Sequence, residues 1–428
     1  MIKKFIGFLA FSMILATATV AQHHDNPTTP PAHTPTAPHA PTPEAQHDPA
    51  HTGGAHAEEV YSPTENIMNH IKDASEYHLW GDVTIPLPCI LYDKTGAGFK
   101  TFMSSVFHHG TMGFDGFVSD HGTVKRIKGN VPSGEIALDV VHAHGDEKHY
   151  VEHAKQDGKD VESVSVGGKK YELESAMSFL ESGNSFVNFS ITKNVFTMLV
   201  AGLLLFFLFT TAARGYKTRA GQAPKGIQSF FEPVIVFITD EVAKPMIGEK
   251  YMKFLPYLLT VFFFILTINL MGLVPLAPFG TNVTGNIAVT CALALIAFLV
   301  TNLNGKADYW KHIFWMPGVP VPMKIFLAPI EFLGVFTKPI SLMIRLFANI
   351  TAGHIIVLAL VSLIFVFGNA GKSIGGATAG AAVAVPFTLF LSVIELIVAF
   401  IQAFIFTILT ASYIGAAIEE HHHEEAHH

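Results

Sequence analysis

Charge is scarce in this sequence: Asp, Glu, Lys and Arg together make up 14% of it, while half of it is hydrophobic. That balance excludes an ordinary soluble enzyme and identifies an integral membrane protein. Cysteine is scarcer still. Cys89 in the polar half and Cys291 inside an apolar segment are the only two, which excludes a disulfide framework or a cysteine metal site, and neither thiol reads as functional. No basic patch is present, and with a net charge of −7 and much acidity in the tails, nucleic acid is excluded as a partner. A phosphate loop or other nucleotide motif is also lacking, so the chain is read as non-catalytic, with no cofactor. Paired broken helices in inverted repeats are missing too, which argues against a self-contained transporter.

What is present is lipid-facing: 36 phenylalanines, many of them clustered. Lys3, Lys4, an apolar stretch from Phe5 to Ala18 and the small-residue end Thr19-Val20-Ala21 read as a cleavable secretory signal over residues 1–21. Residues 22–57 are rich in Pro, Ala, Thr and His without hydrophobic periodicity and read as disordered. Residues 58–185 are polar, with alternating pieces at 161–166 and 168–173 that predict strands, and so form a small extracytoplasmic region of β or mixed character. Residues 186–420 form the membrane part, and 421–428 a His/Glu-rich tail.

Val195 to Ala213 is the first span, and Arg214, Lys217, Arg219 and Lys225 behind it mark the cytoplasm. Gly226 to Ile247, interrupted by acids and prolines, reads as a surface helix. Phe254 to Leu276 crosses back, and Asn286 to Val300 returns toward Lys306, Lys311 and Lys324. Two long apolar stretches follow, Ile325 to Phe367 and Ala382 to Ile418, joined by a Gly- and Ala-rich loop. Each exceeds the roughly 20 residues of a perpendicular span, so each must tilt, kink or lie partly in the plane. Pro329, Pro339 and Pro386 offer the kinks. The expected fold is an all-α polytopic membrane protein of about five crossing helices plus one surface helix, the last two long and tilted, beside the small β region. It lies in the cell inner membrane with its mature N-terminus outside and its C-terminus in the cytoplasm.

Polar residues in those last stretches carry the functional signal. Arg345 cannot realistically lose its proton, and placing it at a helix centre costs about 3 kcal/mol. Glu331, Lys338, Ser341, Arg345 and Asn349 recur at helical spacing, so they form one polar stripe. Glu395 and Gln402 share a face of the final helix, and a carboxyl held in hydrocarbon can take up and release protons if water reaches it. His354 falls about half a turn round from Arg345. In an antiparallel hairpin, Arg345 could face a partner while His354 turns toward another helix and Glu395. Asn269 reads as a group bonding across helices. The histidines of both tails are irregularly spaced and lack fixed partners, which argues against a metal site.

The run Lys338-Pro-Ile-Ser-Leu-Met-Ile-Arg-Leu-Phe-Ala-Asn349, followed by Ala352-Gly353, resembles the signature helix of the a subunit of rotary, F-type ATP synthases. Gln402-Ala-Phe-Ile-Phe406 with Leu409-Thr410 and Tyr413 resembles that family's final helix, and Asn269-Leu-Met-Gly-Leu-Val-Pro275 an earlier motif. Pro63 to His70 is similar to the short N-terminal segment of bacterial members. The resemblance covers residues 186–420 in the expected order and implies a stationary channel subunit in the bacterial membrane sector. It implies that Arg345 faces the ring of c subunits, that Asn349, His354, Glu395 and Gln402 serve the half-channel open to the outside, and that Glu331, Lys338 and Ser341 serve the cytoplasmic one. Partners implied are the c ring, b-type peripheral stalk subunits, other subunits of the complex and the bilayer. His354 and Glu395 stand in the reciprocal arrangement to some members, and Gly272 replaces an acid found in others. The polar insertion of roughly a hundred residues before the first span has no counterpart in the resemblance.

Overall fold

The computed structural model describes residue 67 and residues 71–419, apart from 81–82, 96–97, 130, 145–146, 157–158, 178–183, 219–220, 275–279, 317 and 370–371. The expected signal (1–21), the His- and Pro-rich segment (22–57) and the tail (421–428) lie outside the described residues.

Between residues 76 and 188 the chain is β-rich. Neighbouring residues on a strand point to opposite faces, and the strand Phe117–Asp120 is buried on both. Phe117 packs with Cys89, Leu91, Phe107, Val124 and Phe186, while Val118 packs with Ile127, Ile136, Leu138, Val164 and Leu173. Two small cores thus share one central strand. That strand lies in a seven-stranded antiparallel sheet, and a three-stranded sheet, Phe186–Asn188 with Pro88–Asp93 and Gly98–Met103, closes the first core. The two strands foreseen near residues 161–173 form the hairpin Lys159–Val166 and Lys169–Glu174, with Val166 opposite Lys169. Gly167 and Gly168, at φ 55° and 75°, supply the left-handed backbone of its two-residue turn. Burial pushes the Cys89 thiol up to about 11, so it stays protonated.

Charge inside the sheet is locally paired. Lys125 Nζ lies 2.7 Å from Asp120 Oδ2 and 2.5 Å from Glu162 Oε2. His121 Nδ1 sits 2.8 Å from Asp120 Oδ1, and His153 Nδ1 3.4 Å from Glu162 Oε1. Asp120, His153 and Glu162 are close enough together to share a cation, and the Lys125 ammonium holds that place between the two carboxylates.

The helical part comprises α1 (Lys193–Thr218), α2 (Ile227–Phe237), α3 (Tyr251–Leu273), α4 (Ile287–Leu303), α5 (Ala307–Phe314), α6 (Val321–Phe367) and α7 (Ile374–Ile418). Helix α2 continues through a π-helical turn to Ile247, where Gly248, at φ 70°, interrupts it before α3. Asn286 caps α4 by accepting the Ala288 N–H at 3.0 Å. Among the described residues four helical stretches are long and apolar enough to cross a membrane, five if α4 and α5, bent by 103°, are one broken span. Residues 227–273 count there as a single stretch.

Helices α6 and α7 form an antiparallel hairpin, with Ile364 against Gly380 and Gly353 against Glu395. The Gly- and Ala-rich stretch expected to be a loop is instead the start of α7, capped by Ser373 Oγ, which accepts the Gly376 N–H at 3.1 Å. A Cβ on Gly376 would meet the Phe367 carbonyl at 1.8 Å, and one on Gly380 the Ile364 Cα at 3.1 Å. Close backbone approach favours glycine here and outweighs its poor helix propensity. The helical core centres on α3, whose apolar stretch with α2 is 67% buried, against 6% for α6 and 22% for α7. Most of the hairpin surface is left for lipid or another chain.

Candidate functional site

A cleft with several polar residues in its lining opens where α6 and α7 meet α3 and the segment leading into α4. Asn349, His354 and Glu395 line it from the hairpin, and Asn269, Thr281, Asn282 and Thr284 from the other wall. Glu395 fits because residue 353 is glycine: a Cβ there would stand 2.6 Å from Glu395 Oε1. Asn269, 3% exposed, accepts the Thr284 hydroxyl at 2.8 Å and donates to the Ala399 carbonyl at 3.4 Å. It therefore bonds across helices, as expected, and lines the cleft as well. Asn282 is 6% exposed and neither atom of its amide is hydrogen-bonded. The wall thus holds a buried amide whose donor and acceptor are both unused.

A second cleft lies toward the start of α6, lined by Thr301, Asn302, Tyr309, Lys338 and Tyr413 among apolar neighbours. Lys338 Nζ sits over the Tyr413 ring, 5.5 Å from its centroid, and the Tyr309 hydroxyl donates to Asn302 Oδ1 at 3.3 Å. Glu331 is half-buried, and its charge reaches Tyr309.

Arg345 stands between the two. At about 1.5 Å per residue along α6 it is roughly 10 Å from the level of Lys338 and roughly 14 Å from that of His354. It is half-buried, and no carboxylate among the described residues lies within ion-pair distance of it. Its charge is felt by Tyr413 of the second cleft.

The structure thus brings Asn349, His354 and Glu395 together and puts Lys338 apart from them. Ser341 is exposed and lines neither cleft; Gln402, 5% exposed, is buried on α7 outside both. Sequence reasoning missed Thr281, Asn282 and Thr284. Gly280-Thr-Asn-Val-Thr-Gly285 reads as an ordinary polar turn between spans, and only its folding inward makes it a wall. The available signal was its lack of the charge that solvent loops carry.

Residues 195–415 match the family described as ATP synthase A chain. Residues 66–159 match a domain of unknown function, DUF8433. The chain is 45% identical over 234 residues to ATP synthase subunit a 2 of Chlorobaculum tepidum, a match covering 53% of this chain and 63% of that one. To ATP synthase subunit a of Pelodictyon phaeoclathratiforme it is 40% identical over 313 residues, 71% of this chain and 86% of the other. To that of Chloroherpeton thalassium it is 43% identical over 245 residues, 56% and 70% respectively.

Proposed function

Since this chain belongs to the ATP synthase A chain family, we propose that it is the stationary channel subunit of an F-type rotary ATP synthase, coupling proton flow to rotation. The supporting observation is Arg345, without a counter-ion among the described residues, midway along α6 between two separate clefts that carry polar residues. A bare guanidinium on a largely uncovered apolar hairpin calls for an acid on a partner. A ring of c subunits with one carboxylate per subunit supplies it.

In this reading a proton enters from outside through the cleft of Asn349, His354 and Glu395, where carboxyl and imidazole can hold and release it. It passes to a ring carboxylate, travels round with the ring, and leaves through the second cleft past Lys338, on the helix face that also carries Glu331 and Ser341. Gln402, one face of α7 with Glu395, serves the entry side. Arg345 favours the ionised ring carboxylate as it passes and repels a proton moving directly from one cleft to the other. The subunit itself makes no ATP. It sits in the cell inner membrane, mature N-terminus outside and C-terminus in the cytoplasm, with b-type stalk subunits beside it.

The test is proton pumping and ATP synthesis in inverted vesicles carrying wild type or Arg345→Ala, with assembly checked by co-purification of the ring. Loss of coupled activity in an assembled complex is expected. Normal coupling in the variant overturns the reading.

A further inference from the structure

The start of α1 meets the β-rich region through buried hydroxyls. Tyr77, 4% exposed on the strand Glu76–Trp80, places its phenol against the Thr197 hydroxyl and donates to the Lys193 carbonyl at 3.0 Å. Thr197, fully buried, is 2.7 Å from Thr281 Oγ1, and Thr281 lines the outer cleft. Three hydroxyl oxygens therefore run in hydrogen-bonding sequence from the sheet to the cleft wall.

Packing alone does not require this alignment. Tyr77 and Thr197 each carry one O–H proton and can turn it either to the Lys193 carbonyl, at 3.0 and 2.8 Å, or to a neighbouring hydroxyl, so the alignment is one of two arrangements open to them. In both links either oxygen can be the donor. A hydroxyl donates one proton and accepts others, so it can gain a proton on one side as it gives up its own on the other. Asp73, beside the start of α1, accepts the Asn194 N–H at 3.2 Å. Burial holds its carboxyl above the ordinary range, against the pull of the Lys193 charge. At the inner end Thr281 lines the cleft beside Asn282, whose buried amide is unbonded.

The geometry points to Tyr77, Thr197 and Thr281 as a hydroxyl relay that passes protons between the extracytoplasmic region and the outer cleft. This rests on reading that cleft as the outside half-channel. Each passage is balanced: one O–H bond forms on the entering side of each oxygen as its own O–H proton moves to the next. One proton enters, one leaves, and the hydroxyls then turn back.

The experiment is passive proton conduction through the membrane sector in vesicles freed of its catalytic part, with ring co-purification as the assembly check. Thr281→Val keeps the side-chain shape and removes the hydroxyl; Thr281→Ser does the reverse. A relay predicts that Val lowers the flux about tenfold, equal to ~1.4 kcal/mol of added barrier, and that Ser keeps it near wild type. Tyr77→Phe should match Val, and if it does not assemble the Thr281 pair still decides. Wild-type flux in Thr281→Val, or equal impairment in Ser and Val, overturns the relay. Arg345→Ala in vesicles that keep the catalytic part separates the two claims. If it stays coupled, the reading of the cleft fails; if it uncouples while Thr281→Val conducts normally, only the relay fails.

Discussion

The β-rich region and the helical hairpin treat buried charge in opposite ways. In the sheet, Lys125 (7% exposed) and Asp120 (8%) neutralise each other within 2.7 Å, with Glu162, His121 and His153 around them. In the hairpin, Arg345 has no acid within ion-pair distance among the described residues, and Glu395 rests against a glycine rather than a cation. A charge that folding has paired is spent on structure. One left unpaired at a similar desolvation cost has its partner elsewhere, in a passing proton or another chain.

The largest expected effect comes from crowding the unpaired acid. Gly353→Leu puts carbon where Glu395 Oε1 now lies 2.6 Å from an ideal Cβ, so the carboxyl must move. Displacement of about 1 Å at a reacting centre can cost about a hundredfold, and a fall of that order in proton-driven ATP synthesis is expected in vesicles whose complex still assembles. Undiminished synthesis would show that the position of Glu395 does not matter to transport.

Unpairing the sheet should give the converse result, a loss of stability with little loss of flux. Lys125→Met leaves Asp120 and Glu162 without their shared cation and should destabilise the region by about 3–5 kcal/mol. Faster hydrogen exchange in residues 117–127, with α3 unchanged, would register it. Acid should do the same more gently. Burial alone would raise the Asp120 pKa, but its bonds to His121 and Lys125 outweigh that and hold it below the ordinary carboxylate range. A folded pKa below the unfolded one gives stability that is present above the unfolded value, near 3.8, and fades as pH falls through the folded value. His153 has the opposite sign: its bond to Glu162 raises its pKa, so its contribution is full below about 6.5 and fades as pH rises through the folded value. Exchange protection of the sheet measured from pH 3 to 8 should show losses at both ends, the acid one reduced in Asp120→Asn, where Glu162 and Asp93, also held below the ordinary range, supply the remainder.

This contrast was only half visible in the sequence. Long apolar runs and the spacing of Arg345 from its polar neighbours made the hairpin legible, because membrane helices must satisfy their backbones internally and so display their faces through periodicity. The hairpin turn at Gly167–Gly168 was legible for a similar local reason. The Asp120, Lys125 and Glu162 cluster was not, since its members lie on three strands whose neighbourhood is set by sheet order. Nor was the wall of Thr281, Asn282 and Thr284, whose residues would suit a solvent turn equally well. Gln402 shows the opposite failure. Helical spacing correctly puts it on the face of Glu395, but not at the depth where the cleft opens.

The smallest effect tests whether the second cleft follows the hairpin's rule or the sheet's. Among the described residues Lys338 is neither bare nor ion-paired: its ammonium lies over the Tyr413 ring, 5.5 Å from the centroid, at the border of the cleft. A cation–π contact of this kind is worth about 1 kcal/mol, roughly a fivefold change if it positions the lysine for transport. Tyr413→Phe keeps the ring face and should leave ATP-driven pumping close to wild type, whereas Tyr413→Leu and Lys338→Gln should each lower it about fivefold. If Phe is as damaging as Leu, the phenol hydroxyl carries the function of Tyr413, and the second cleft works by hydrogen-bond exchange, as proposed for the outer one. If Lys338→Gln is silent while Leu is not, the lysine is a satisfied structural cation, and the contrast between partnered and unpartnered charge extends into the membrane half itself.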